Sequence, residues 1–184
     1  MASEWSKVAR RIRVPLGFVF AMVFLWLAHP GWEWVALSLL LVAPGLWLRG
    51  YAAGYVKKNA EVTMTGPYAY TRNPLYFGSM LIAFGFALAA RSVWIAAALA
   101  MLFAVIYIPV IRSEEEYLRS QFAAYEAYAT RVPRLIPRLR VKWETNDQGG
   151  GFSSALYQKH REYNALIGAM VIYTVLILKI YFWR

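Results

Sequence analysis

Hydrophobic and polar positions fall in long blocks along this chain rather than in short periods. The runs VPLGFVFAMVFLWLA, VALSLLLVAPGLWL, SMLIAFGFALAA and ALIGAMVIYTVLILKIYFW are nearly free of charge. Runs of this density read as membrane-spanning helices. Five spans are expected, near residues 14–29, 32–48, 74–89, 93–111 and 155–183. His29-Pro30-Gly31 supplies a sharp return between the first two, Arg91-Ser92 breaks the third from the fourth, and Pro109 is expected to kink the fourth near its end. Between spans four and five, RSEEEYLRSQFAAYEAYAT (112–130) has the pattern of a charged amphipathic helix, RVPRLIPRLRVK is basic and proline-broken, and TNDQGGGFSS reads as a linker. The expected architecture is an all-α integral membrane bundle of about five transmembrane helices with an added cytoplasmic amphipathic helix. It divides into an N-terminal hairpin (1–59), a core (60–140), and a linker with a C-terminal helix (141–184).

Charge sets the orientation. The 184 residues carry a net charge of +10, and 60% of them are hydrophobic. The basic residues cluster at KVARRIR, in 49–73 and in 112–161. With five spans these segments share one side, which the positive-inside rule makes cytoplasmic, together with the N-terminus. The basic start resembles a signal peptide, but HPGWEW follows in place of a small-x-small cleavage site, so a retained span is expected. The flanking position of the basic residues argues for a membrane protein and against a nucleic-acid partner. Cysteine is absent and the two histidines, His29 and His160, lie far apart, so neither a thiolate nor a His-based metal site is expected. A multi-pass protein of a prokaryotic inner membrane, with membrane lipid around it, is the expected setting.

Two polar segments carry candidate chemistry. In GPYAYTRNPLYFG (66–78), Gly66-Pro67 is a turn signal, Pro74 suits the first position of a helix, and Asn73 suits its N-cap. Helix punctuation and an aromatic belt account for part of this segment but leave Tyr68, Arg72 and Tyr76 open. In the acidic segment, Glu115, Leu118, Phe122 and Tyr125 share one helical face, so Glu115 lies on the apolar side, where a lone carboxylate is costly. Glu116 is within helical reach of Arg112 and Arg119 and reads as a solvated ion pair. If spans three and four form an antiparallel hairpin, Arg72, Glu115, a helix N-terminus and several tyrosine rings meet, a set suited to a zwitterionic adenosine ligand.

These two segments, in this order around a helical hairpin, resemble the isoprenylcysteine carboxyl methyltransferase and phospholipid methyltransferase superfamily of integral membrane enzymes. The resemblance covers residues 60 to about 138. It implies S-adenosylmethionine as the methyl donor, bound at the cytoplasmic face, and a lipophilic acceptor reached through the bilayer. Position by position, it implies donor-binding roles for Tyr68, for Arg72, Asn73, Pro74, Leu75 and Tyr76, for Glu115 counting back from Leu118 (Glu116 fits if Arg112 is the anchor, but the helical face favours Glu115), and more weakly for Val62 and Thr63. Arg112 is implied to lie against the acceptor, and Val132-Pro133-Arg134 fits the family's closing segment. Where the prenylcysteine branch has His, this chain has Asn73, which hydrogen-bonds but cannot act as a general base.

The reaction so implied is in-line displacement at the methyl carbon of a sulfonium, with Arg112 and Glu115 as the catalytic pair. An anionic, carboxylate-bearing acceptor is favoured because cation and anion then become neutral products in a low dielectric. Two other readings stay open. One is a membrane-embedded NADPH-dependent reductase of related helical core, with Arg131, Arg134 and Arg138 for the pyrophosphate. The other is a non-catalytic scaffold with a basic juxtamembrane surface.

Overall fold

The computed structural model of the chain describes residues 18–19, 22–56, 62–138 and 151–182. The basic N-terminus, most of the first half of the first expected span, Lys57-Lys58, the end of the basic run and most of the glycine-rich linker lie outside them.

The described residues are helical, without strands. After a helical segment at 22–27 come α1 (Trp32–Ala53), a 3₁₀ turn (Gly66–Ala69) and α2 (Pro74–Ala89). Then follow α3 (Val93–Gln121), α4 (Ala124–Arg131), α5 (Ser154–Lys159) and α6 (Tyr163–Phe182). Three of these, α1, α3 and α6, are long and apolar enough to cross a membrane. At 16 residues, α2 is apolar but spans only about 24 Å, short of a hydrocarbon core of about 30 Å.

The tightest packing is between α1 and α2, and it depends on glycine. A Cβ on Gly45 would come within 2.8 Å of the Gly78 carbonyl oxygen, and one on Gly78 within 2.9 Å of the Gly45 carbonyl oxygen. About two turns further along α2, Gly85 meets Val42, which lies about one turn back along α1. As the contacts move back along α1 they move forward along α2, so the helices are antiparallel. Small residues let the backbones approach, which is how helices associate where lipid removes the usual hydrophobic drive. Phe24, Val35, Val42, Phe86, Ile95 and Leu176 then fill the core among α1, α2, the start of α3 and α6. Tyr173 on α6 donates to Ser38 on α1 at 2.8 Å, Ser38 itself donating to the Val35 carbonyl.

At one end of this bundle, Ala28–Gly31, Arg91 and the last turns of α6 line a common cavity. Arg91 holds a left-handed φ of 55°, and Ser92 caps α3 by accepting from the Ile95 N–H, so the predicted break is present. At the other end gather Gly54, residues 66–73, the acidic turns of α3 and the segments 132–138 and 151–162.

Three expectations change. First, α3 does not end near 111: it continues for 29 residues, about 43 Å, and carries the acidic cluster on its own last turns. Pro109 cannot donate to the carbonyl four residues back, and a π turn at Phe103–Tyr107 absorbs the mismatch without a break. Second, the amphipathic helix is split at Phe122, whose backbone is extended (φ −132°, ψ 108°); α4 is a separate short helix. Third, the C-terminal helix is interrupted at 160–162, where Arg161 takes φ 53°, so α5 and α6 are distinct.

Candidate functional site

The segment 70–73 runs beside 133–138, joined by main-chain and side-chain bonds. Arg72 N–H donates to the Pro133 carbonyl at 2.9 Å, and Arg138 N–H to the Tyr70 carbonyl at 3.2 Å. The Thr71 hydroxyl donates to the Leu135 carbonyl at 2.8 Å. Pro74 opens α2 as the sequence predicts, but the Asn73 side chain does not cap it. Its amide N–H instead donates to the Arg134 carbonyl at 2.8 Å, tying the start of α2 to the 132–138 segment. Gly66 is required in the turn before: its φ is 58°, and a Cβ would strike the Tyr55 ring at 2.7 Å.

This pairing brings two guanidinium groups onto one carboxylate. Glu115 is 2% exposed. Arg134 grips it in a fork, Nε at 3.0 Å and Nη2 at 3.0 Å from Oε2. Arg72 Nη1 lies 3.1 Å from Oε1, in charge contact but off hydrogen-bond geometry. Neither Nε nor Nη1 of Arg72 has a hydrogen-bond partner among the described residues, although its side chain is 9% exposed. The cluster carries one more positive than negative charge and buried donors without acceptors. It is built to receive an anion.

Tyrosines close the cluster. Burial, aided by Glu115, pushes the Tyr125 pKa up against the pull of the neighbouring Arg72. Tyr128 donates to the Tyr68 carbonyl at 2.6 Å, and burial first, then its tyrosine neighbours, raises its pKa well above the ordinary value. Val132, Leu118, Phe122, Val62 and Met64 pack around Tyr125 and Tyr128. The predicted apolar face of the acidic helix thus survives its break at Phe122.

Tyr76 turns the other way. It donates to Glu114 at 3.0 Å and meets the Tyr107 ring edge-on at 5.7 Å. Leu75 contributes its carbonyl, which accepts from Ser79 and from Arg49. Thr63 reaches the Tyr55 carbonyl at 3.5 Å. Arg112 is exposed, one turn before Glu115 on α3 and outside the cluster, and Arg119 pairs with Glu126 rather than with Glu116. The structure therefore brings Tyr68, Arg72, Asn73, Pro74 and Glu115 into one assembly, with Val62 at its apolar edge, and adds Arg134 as its second cation. The signal for Arg134 is present in RVPRLIPRLRVK, but nothing in that run says which arginine faces Glu115.

The model of the phospholipid methyltransferase family matches residues 27–125, more than half of the chain. The chain belongs to that family, within the isoprenylcysteine and phospholipid methyltransferase superfamily, and so to a class of membrane methyltransferases. It is 35% identical over 140 residues to the cobalt-zinc-cadmium resistance protein CzcN of Cupriavidus metallidurans, covering 70% of this chain and 63% of that protein. It is likewise 35% identical over 124 residues to the nickel-cobalt-cadmium resistance protein NccN of Alcaligenes xylosoxydans xylosoxydans, covering 61% of this chain and 57% of that protein. The chain thus spans about three fifths of the length of these curated relatives. No solved structure matches it.

Proposed function

We propose that the protein transfers a methyl group from S-adenosylmethionine to a lipophilic acceptor at the cytoplasmic face of a membrane. Family membership supports the reaction class. The observation that carries the donor is the Arg72 guanidinium, buried, whose Nε and Nη1 lack a hydrogen-bond acceptor among the described residues, in a cluster of net positive charge. The donor's carboxylate suits those nitrogens. Its ring and cation suit the tyrosine faces nearby.

In this reading Arg72 and Arg134 bind and orient the donor, and Glu115 holds both guanidiniums at its base. Val62 and Thr63 border the donor, and Tyr68 and the turn from Asn73 to Tyr76 line its side toward the membrane. The donor supplies an electrophilic methyl group. Arg112, one turn along α3 toward the membrane, orients a carboxylate-bearing acceptor that enters from lipid. Five spans with a cytoplasmic N-terminus complete the proposal and set this end of the bundle at the inner leaflet of a prokaryotic membrane. The three parts of the chain then serve as an N-terminal hairpin, a core that holds the donor, and a C-terminal linker and helix. The resistance phenotype named for the two relatives gives a setting rather than a ligand. The cluster here is of arginine and glutamate, and among the described residues no three metal-binding side chains converge.

Calorimetry on the detergent-purified chain tests this. S-adenosylmethionine is expected to bind saturably, and Arg72→Ala to weaken it at least about tenfold, as loss of a charge-assisted bond does. Saturable binding of NADPH without S-adenosylmethionine would replace this reading with the reductase. Binding of neither would leave the scaffold.

A further inference from the structure

The 22 residues of α1 cover about 33 Å, so its two ends lie on opposite faces of a bilayer. The end away from the Arg72–Glu115–Arg134 cluster holds a cavity of about 1050 Å³. Its frame is tied at three points. The His29 N–H donates to the Ala90 carbonyl at 3.1 Å and joins the return before α1 to the break before α3. Lys179, near the end of α6, donates to the Leu25 and Trp26 carbonyls at 2.8 and 3.0 Å and fastens α6 to the segment at 22–27. Trp32 meets Tyr181 edge-on at 5.6 Å.

Two opposite charges, Arg91 and Glu33, line this cavity. Both are exposed, and among the described residues neither has a hydrogen-bond or ion-pair partner. The far end of α1 differs: there Arg49 holds Glu162 in a fork at 2.8 and 2.9 Å. Arg91 is nonetheless oriented, with its guanidinium 5.7 Å from the centre of the Trp34 ring. Its φ of 55° is a conformation that Gly adopts freely and other residues adopt at a cost. A turn alone would ask for Gly; arginine there sets a cation in the cavity wall. Trp26 and Trp32 extend the aromatic rim, and Leu25, Val175, Leu178 and Phe182 give the cavity an apolar side.

We propose that this cavity binds one aminophospholipid of the leaflet facing away from the donor cluster, with its phosphate on Arg91 and its primary ammonium on Glu33. A phosphate diester suits the planar fork of N–H donors that a guanidinium offers. A carboxylate beside tryptophan faces suits an ammonium two carbons further on. A cation and an anion that share one cavity without pairing match a zwitterion in charge and order. A headgroup without the ammonium would leave Glu33 as a like charge facing the phosphate. The acyl chains follow the apolar side toward the bilayer. A membrane's thickness separates this lipid from the donor cluster, so it is bound and not methylated, and the site shares no residue with the donor reading.

Native mass spectrometry of the detergent-purified full chain tests this, with phosphatidylethanolamine, phosphatidylcholine and phosphatidylglycerol of the same acyl chains as probes. The wild type is expected to bind one phosphatidylethanolamine about five- to tenfold more tightly than either other lipid, the scale of a charge-assisted hydrogen bond. Arg91→Gly removes the cation and suits the left-handed backbone. It should keep the unfolding midpoint near wild type while weakening all three lipids at least about fivefold. Glu33→Gln should abolish the preference for phosphatidylethanolamine and leave phosphatidylcholine within about twofold. It decides the matter if Arg91→Gly fails to fold. Unchanged binding in the variants, or a wild type that takes the three lipids alike, would reduce the cavity to an unspecific interfacial belt and overturn the proposal. Tighter binding of phosphatidylglycerol would overturn the ammonium's place on Glu33.

Discussion

Arg72 and Glu115 meet at 3.1 Å with side chains only 9% and 3% exposed, and Arg134 closes on the same carboxylate from the other side. Neither arginine comes from the helix that carries Glu115. The carboxylate thus ties α3 to the turn before α2 and to the segment after α4. Removing one member of a buried ionic set leaves uncompensated charge and costs about 3–5 kcal/mol. Glu115→Ala is expected to lose stability on that scale in detergent. Glu115→Gln should lose less, since the amide oxygen still accepts from Arg134. Thermal unfolding of the two variants against wild type measures the difference.

The α1–α2 crossing gives a second prediction. Gly78→Ala pushes a methyl within 2.9 Å of the Gly45 carbonyl and 2.7 Å of the Arg49 side chain. Backbone cannot yield as a flexible side chain does, so a loss of about 1–3 kcal/mol is expected. Gly168→Ala on α6 meets nothing within 4 Å and should be neutral or stabilise by about 0.5–1 kcal/mol through helix propensity. Unfolding midpoints for the pair test packing against propensity in one protein.

Tyr68 and Tyr128 make alkaline pH informative. Burial raises both above the ordinary tyrosine value of 10. Above that value the unfolded chain releases these protons while the folded chain keeps them. The folded state then binds more protons, so stability falls as pH rises, by about 1.4 kcal/mol per pH unit for each tyrosine. Tyr68→Phe removes one such group and has no side-chain hydrogen bond to lose. It should flatten the decline between pH 10 and higher values. Tyr128→Phe flattens it too, but also strips the Tyr68 carbonyl of its donor, costing about 1–3 kcal/mol at neutral pH. Stability against pH for the three proteins separates the effects.

Much of this arrangement is legible in the residues. The apolar blocks identify α1, α3 and α6, the Arg91-Ser92 break is where the sequence puts it, and the helical face through Glu115, Leu118 and Tyr125 is the buried one. The failures share a cause. Pro109 reads as a kink near a helix end because local rules see only a missing donor, whereas a π turn just before it accommodates it inside a helix that runs on to Gln121. Asn73 reads as a cap because the acceptor it serves, the Arg134 carbonyl, lies 61 residues away in the chain. Glu162 carries no motif at all; only the turn at Arg161 aims it at Arg49. Pairings set by tertiary contact leave no local pattern to read.

Asn73 supplies the last prediction. Its amide donates to the Arg134 carbonyl and so fixes the backbone of the very residue whose guanidinium grips Glu115. Asn73→Asp replaces that donor with an acceptor facing an acceptor and sets a carboxylate beside the cationic cluster. It should both destabilise the fold, by about 1–3 kcal/mol for the unsatisfied buried carbonyl, and compete with an anionic ligand for Arg72. Asn73→His retains an N–H able to reach the same carbonyl and restores the residue of the prenylcysteine branch. It should keep stability near wild type. If the position serves only as this backbone tie, His and Asn will bind S-adenosylmethionine alike and Asp will not. Calorimetric titration of the three proteins at neutral pH makes the comparison, and equal binding by Asp and Asn would show that the tie to Arg134 has no part in holding the donor.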